Sequence, residues 1–320
     1  MHIDLYVALA GLIVGFAVGL TGMGGGALMT PILVLLFGIA PLAAVSSDLV
    51  ASLIMKPVGA AVHAGRGTVR WNLAGWLAIG SVPSAFLGVV FLKTVGSTKV
   101  QSIVSVALGA VLLVAVAALL TKMYLDHRNG TSAGVDEKLT IKKVPTLAIG
   151  ASIGFIVGIT SVGSGTLVII LLLFLYPRLR GSQMVGTDLA QAIPMVGSAA
   201  IAHIIFGDFK LGLTLSILIG SIPGVLIGAS VSSYAPTAFL RGALAAVLLV
   251  SGLKLLNVPT LAIGIVLLIS LVVLGAAWVS IRLSGRTLRE ISGEVPAQAA
   301  TERDTDEEPA LHPAGALSEA

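Results

Sequence analysis

The chain has 320 residues, 56% hydrophobic and 11% charged, with a mean hydropathy of +1.04 and a formal net charge of +4. Soluble domains carry about a quarter of charged residues, so this balance excludes an ordinary cytosolic enzyme, a disordered chain and a nucleic-acid binder. The class left is an all-α polytopic membrane protein, in which lipid replaces water around apolar surface.

The first 20 residues, MHIDLYVALAGLIVGFAVGL, lack a basic start and a clear small-residue cleavage site. They read as a mature first membrane helix and not a removed signal. Apolar runs follow at 5–20, 27–39, 44–63, 72–92 and 99–121, then a polar stretch at 125–143. Further runs lie at 145–160, 166–176, 184–206, 211–232, 237–256 and 259–281. Most reach the ~20 residues that cross a hydrocarbon core, but 27–39 and 166–176 are short. Beyond Arg282, Arg286 and Arg289 the chain turns acidic: residues 289–320 hold eight of the 15 acids. Residues 1–288 hold 17 of the 19 Lys and Arg, so the membrane part is basic. The expected division is a first membrane repeat (1–124), a cytoplasmic polar loop (125–144), a second repeat (145–257), an additional membrane helix (258–284) and a disordered cytoplasmic tail (285–320). There is no cysteine, hence no disulfide and no thiolate metal site.

An internal repeat organises the chain. GFAVGLTGMGGGAL (15–28) aligns with GFIVGITSVGSGTL (154–167) at an offset of 139. SSDLVAS (46–52) falls on GTDLAQA (186–192), and GSVPSAFLG (80–88) on GSIPGVLIG (220–228), both at an offset of 140. At that offset His63 also meets His203. Each half holds about five segments. Five is odd, so the second half starts on the opposite side and the repeat is inverted. Reading 5–39 as one helix would make the halves parallel, but TGMGGG breaks a helix there. With the N-terminus outside, inner loops carry 13 basic residues and outer loops four, Lys93, Lys99, Lys210 and Lys254. This bias predicts a multi-pass plasma-membrane protein with the N-terminus outside and the C-terminus cytoplasmic.

The paired glycine turns are the leading site candidate. Each sits between an apolar helix and a second, short one. Irregular backbone at membrane depth is tolerated where it lines a cavity or is buried in protein. A helix starting at the break points free N–H groups and its positive dipole end at an anion. Broken helices at matching positions of inverted halves mark a transporter's binding site. The predicted substrate contacts are Thr21, Gly22, Gly24, Gly25 and Gly26 in the first copy, and Thr160, Ser161, Gly163, Ser164 and Gly165 in the second. The bland alternative is close helix packing, which also explains the stripe Gly11, Gly15, Gly19.

Lys56 lies mid-membrane, where an unpaired ammonium is costly, so it should face protein or water, where it either attracts an anion or pairs with Asp48 or a backbone carbonyl. Its repeat counterpart is Val196. Asp48 and Asp188 recur in the repeat; they either cap helix starts or couple transport to protons. Gln191, one turn after Asp188, is a neutral candidate ligand. His63 and His203 read as protonation-sensitive gates or as interfacial histidines bonded to loops. Pro57 and Pro194 read as kinks, and Trp71 and Trp76 as interfacial anchors.

On GLTGMGGGALMTPIL (19–33), SSDLVAS (46–52), GITSVGSGTL (158–167) and GTDL (186–189), the chain resembles the sulfite exporter TauE/SafE family of anion transporters. The resemblance covers about 11–256. It implies a carrier for sulfite, a sulfonate or another small sulfur-containing anion. Two positions depart between the copies: Pro31 falls on Ile170, and Gly25 on Ser164. The two half-sites are therefore expected to be unequal.

The expected function is secondary transport of such an anion by alternating access, without cofactor or metal. The expected partners are the small anion, protons as coupling ion, the lipid bilayer and a second copy of the chain in a homodimer; nucleic acid is not one. No G-x-x-x-x-G-K-[ST] phosphate loop is present. The alternatives are an anion channel, a carrier for an unrelated small solute, and an intramembrane enzyme using Asp48 and Asp188 as a carboxylate pair.

Overall fold

The computed structural model describes residues 4–21, 26–129, 140–231 and 237–269, and among these there is helix but no strand. The first compact unit ends at Ile263 and contains the whole site region. Its helices are α1 (Leu5–Thr21), α2 (Gly26–Leu35), α3 (Pro41–Gly65), α4 (Trp71–Val95) and α5 (Ser97–Asn129). The second series is α6 (Lys143–Thr160), α7 (Thr166–Leu175), α8 (Gly181–Phe206), α9 (Leu211–Val231) and α10 (Thr237–Leu255). A further helix, α11, is described over Thr260–Ile269. The expected tail at 285–320 lies outside the described residues, as do Gly22, Gly24 and Gly25 of the first glycine turn.

Five of these helices are long and apolar enough to cross a membrane. Their outer faces carry large apolar side chains such as Ile79, Leu87, Val114, Ile204 and Leu226, as lipid requires. The two glycine-flanked helices differ. α2 and α7 have 10 residues each, about 15 Å of helix, half the hydrocarbon thickness. The short apolar runs therefore fold as half-length helices and not as spans.

Helix directions follow from which residues meet. A methyl at Gly11 or Gly15 would strike the carbonyls of Ile217 or Ser221, and one at Gly220, Gly224 or Gly228 those of Ala8, Leu12 or Phe16. The residue numbers rise together, so α1 and α9 run parallel with backbones in contact. The same holds for α6 and α4: Gly150 and Gly154 meet Leu77 and Ser81, while Gly80 and Gly88 meet Leu147 and Phe155. These contacts are copies of one another at the offsets of 139 and 140. The first helix of each half thus packs on the fourth segment of the other half.

α3 and α8, the matching third segments, run antiparallel. Ser46 meets His203 near one end, and Leu53 lies against Gly197 further along. The 36–40 link turns α2 into α3, and Gly207–Lys210 turns α8 into α9. With α9 parallel to α1, α1 and α3 then share a direction, and α1–α2 is a hairpin. Two hydrogen bonds also recur as repeat mates: Arg70 N–H donates to Thr187 Oγ1 (3.0 Å), and Lys210 N–H to Ser47 Oγ (3.4 Å).

Candidate functional site

The second glycine turn is described in full. α6 stops at Thr160 because Ser161 turns left-handed, with φ 60°, and its N–H returns to the carbonyl of Val157. Gly163 (φ +130°) and Gly165 (φ +98°) then hold conformations that a side chain disfavours. Gly165 is the N-cap of α7. Thr160, Ser161 and Ser164 are all buried, so this irregular backbone is enclosed in protein, as membrane depth demands. The Thr160 hydroxyl lies 2.7 Å from the Ile156 carbonyl and 3.2 Å from the Val162 N–H. It stitches the turn. Gly26 of α2 presses against the Ser161 carbonyl and hydroxyl and the Asp48 carboxylate. The start of α2 and the second turn therefore meet in the middle of the molecule. Of the other first-turn candidates, Gly22, Gly24 and Gly25 lie outside the described residues, as does the Thr21 side chain.

Asp48 is the eighth residue of α3, which starts at Pro41, and Asp188 the eighth of α8, which starts at Gly181. Neither caps a helix. Both runs begin earlier than the sequence pattern indicated, because Pro41 and Gly181 open helical turns that carry few large apolar residues. The capping alternative falls, and two fully interior acids remain, 2% and 3% exposed.

The two acids have different partners. Asp48 Oδ2 accepts from Thr30 Oγ1 of α2 (2.9 Å) and from Ser161 Oγ (2.6 Å). Asp188 Oδ1 accepts from Gln191 Nε2 (3.1 Å), and Gln191 Oε1 accepts from Ser81 Oγ of α4 (3.1 Å). The Asp188 carboxylate also accepts the N–H of Gly165, at the start of α7. The repeat explains the difference. Thr30 falls on Ile169, and Gln191 on Ala51, so neither half copies the other's donors.

Lys56, 8% exposed, is the charge that faces both acids. Its Nζ donates to Ser164 Oγ at 2.5 Å. Two of the departures from symmetry, Lys56 for Val196 and Ser164 for Gly25, are thus the two ends of one hydrogen bond between the halves.

His203 is fully buried. Its Nε2 lies 2.8 Å from the Gly158 carbonyl and its Nδ1 2.8 Å from Ser46 Oγ. A carbonyl only accepts, so Nε2 carries the proton and Ser46 donates to Nδ1. His203 therefore pins α8 to α6 and α3, and its partners lie on helices and not on loops. The His63 side chain lies outside the described residues. Trp71 is exposed, and Lys143 stands 5.3 Å from the centre of the Trp76 ring, a cation–π pair at a helix start. Three participants were not singled out in the sequence: Thr30, Ser46 and Ser81. Ser46 and Ser81 sit inside repeated blocks, but nothing in a block tells which hydroxyl reaches across.

The model of the sulfite exporter TauE/SafE family matches residues 7–255. The chain belongs to the sulfite exporter TauE/SafE family. It is 41% identical over 252 residues to the probable membrane transporter protein YjnA of Bacillus subtilis (strain 168), covering 78% of this chain and 98% of that protein. It is 25% identical over 261 residues to the probable membrane transporter protein YdhB of the same organism, covering 80% of this chain and 100% of that protein. No solved structure matches. TauE/SafE membership over residues 7–255 makes the chain a multi-pass membrane transporter.

Proposed function

We propose that this TauE/SafE member is a secondary carrier for a small sulfur-containing anion, sulfite or an organosulfonate, that works by alternating access. The observation that carries this is the buried Lys56 ammonium on Ser164, beside the Gly165 N–H at the start of α7. A cation and a helix N-terminus converging on one enclosed, irregular turn form an anion site. Gly165 and Ser164 supply backbone and hydroxyl contacts, and Lys56 supplies charge. Asp48 and Asp188 serve coupling or gating, with protons as the coupling ion. Asp48, held by Thr30 and Ser161, ties the two halves together at the turn.

The antiparallel α3 and α8 support an inverted repeat with its two-fold axis in the membrane plane. Rocking of the halves about that axis would open the site to each side in turn. The N-terminus is placed outside and the C-terminus in the cytoplasm, on the basic-residue bias. An intramembrane enzyme would need the two carboxylates to share a proton. Their separate donors argue against that, as does membership of a transporter family.

The test is uptake into proteoliposomes holding the purified protein, with sulfite, methanesulfonate, sulfate, nitrate and chloride, with and without a pH gradient. A carrier shows counterflow: preloaded unlabelled anion accelerates entry of labelled anion. Preference for sulfite or a sulfonate with counterflow is the expected result. Equal passage of all five without counterflow would mean a pore and sink the proposal.

A further inference from the structure

We infer that Asp188 is a tethered stand-in for the substrate, and that the carrier therefore takes up one proton with each monovalent anion. The inference rests on the anion-carrier reading and gives it a coupling residue and a stoichiometry.

The first support is where the carboxylate sits. The N–H of Gly165 is a group that an entering anion would use, and the Asp188 carboxylate already accepts it. Lys56 is the cation that an entering anion would use, and it already faces Asp188. An acid on α8 thus fills the electrostatic place of the substrate in the empty protein. Asp48 does not compete in this way, because its partners are the hydroxyls of Thr30 and Ser161.

The second support is charge balance. The buried core holds Asp48, Asp188 and Lys56, a net of one negative charge when all are ionised. Adding an anion alone would make two, in surroundings where each uncompensated charge is costly. If Asp188 takes a proton as the anion arrives, the total stays at one negative charge. The neutral carboxyl then no longer attracts Lys56, and the anion takes the ammonium and the Gly165 N–H. Releasing the anion on the other side returns Lys56 to Asp188, and the proton leaves. Proton and anion thus move together, with no bond made or broken except that O–H.

Among the described side chains no other acid replaces Asp188. α3 presents Asp48 and Lys56, and its His63 side chain lies outside the described residues. His203 of α8 is occupied by the Gly158 carbonyl and the Ser46 hydroxyl. The charged residue within α4 is Lys93, at its far end over the Phe206 ring. Arg70 precedes α4, with its N–H on Thr187 beside Asp188. α6 carries Lys143 at its start over Trp76, and α7 carries no titratable residue. Of these, Asp48 and Asp188 are the acids, and Asp188 is the one at the Gly165 N–H.

Methanesulfonate is the appropriate probe, since it keeps one negative charge across the working pH range. Its affinity for wild-type protein in proteoliposomes should strengthen by about tenfold for each unit fall in pH, then level off where empty Asp188 is itself protonated. In Asp188→Asn the amide cannot ionise. Binding should persist, its pH dependence should vanish, and a pH gradient should no longer drive accumulation, while counterflow continues. Wild-type protein gives a readout that needs no variant: an inward methanesulfonate gradient should acidify the lumen by about one proton per anion. Wild-type binding that is flat across pH, or anion entry without protons, overturns the inference and leaves an uncoupled anion carrier standing. If wild-type protein binds none of the anions at any pH, the carrier reading fails and takes this inference with it.

Discussion

At the scale of single residues, the candidate site is built from positions where the two halves disagree. Lys56 and Ser164 bond only because each breaks the repeat. Lys56→Met keeps the length of the side chain and removes the charge and the donor. Losing a charge-assisted hydrogen bond to an anion costs about 1.5–3 kcal/mol, so transport should fall about tenfold or more. The protein should still elute as a folded, monodisperse species in detergent; wild-type uptake by this variant would make Lys56 a packing feature. A second asymmetry predicts stability. Ser81 Oγ bonds Gln191, whereas its repeat mate Ser221 is fully buried and its hydroxyl has no partner, since Ala51 stands where Gln191 would be. Ser81→Ala should therefore lower stability by about 1–2 kcal/mol, while Ser221→Ala should be neutral or stabilising. Thermal unfolding in detergent reads both, and equal losses would refute the asymmetry.

At the scale of elements, glycine has two separable uses. Along α1, α4, α6 and α9 it removes the Cβ that would hold two helices apart. Around 163–165 it permits a turn that other residues resist. The helix pairs give a clean comparison. A methyl at Gly154 would strike the Ser81 carbonyl and the Ser84 hydroxyl, whereas Gly75 on α4 has nothing within 4 Å. Backbone cannot step aside as a side chain can, so Gly154→Ala should cost at least about 2 kcal/mol. Gly75→Ala should be neutral or slightly favourable, because alanine is the better helix former. Similar unfolding temperatures for the two would mean that α4 and α6 are not in backbone contact. The half-length helices and the glycine turns were legible in sequence, since a run of 10 apolar residues is too short to span. The helix starts were less so. Leu42, Ala43 and Ala44 precede Asp48, but Pro41 was needed to place the acid inside the helix and not at its cap. The partners of Asp48 and His203 were illegible for a different reason: Ser161 and Ser46 stand 113 and 157 residues away from them, and no local pattern carries such a pairing.

At the scale of the whole molecule, the repeat was visible as a series of matching residues, and the folded chain adds directions to it. Contacts and short links make every repeat pair traced here antiparallel: α1 with α6, α3 with α8, and α4 with α9. A parallel duplication would run each pair in the same direction. These directions are compatible with the orientation proposed from the basic-residue bias. In that proposed orientation the links α3–α4 and α5–α6 and the C-terminus are cytoplasmic, and the links α4–α5 and α8–α9 are outside. The native chain has no cysteine, so single substitutions report cleanly. Gly130→Cys and Ala310→Cys should react with a membrane-impermeant maleimide only after the membrane is opened. Gly96→Cys and Asp208→Cys should react in intact cells. The four positions separate three models. If the halves were parallel with four spans each, positions 96 and 130 would lie on opposite sides as before, but 96 and 208 would part company, because α5, a single α6–α7 span and α8 would make three crossings between them, whereas a returning α6–α7 hairpin makes the number even. Labelling of 130 or 310 from outside would overturn the orientation, and labelling of 96 and 208 on different sides would overturn the traced helix directions. Agreement at all four would leave α3 and α8 crossing the membrane in opposite senses, the arrangement that alternating access between two equivalent halves requires.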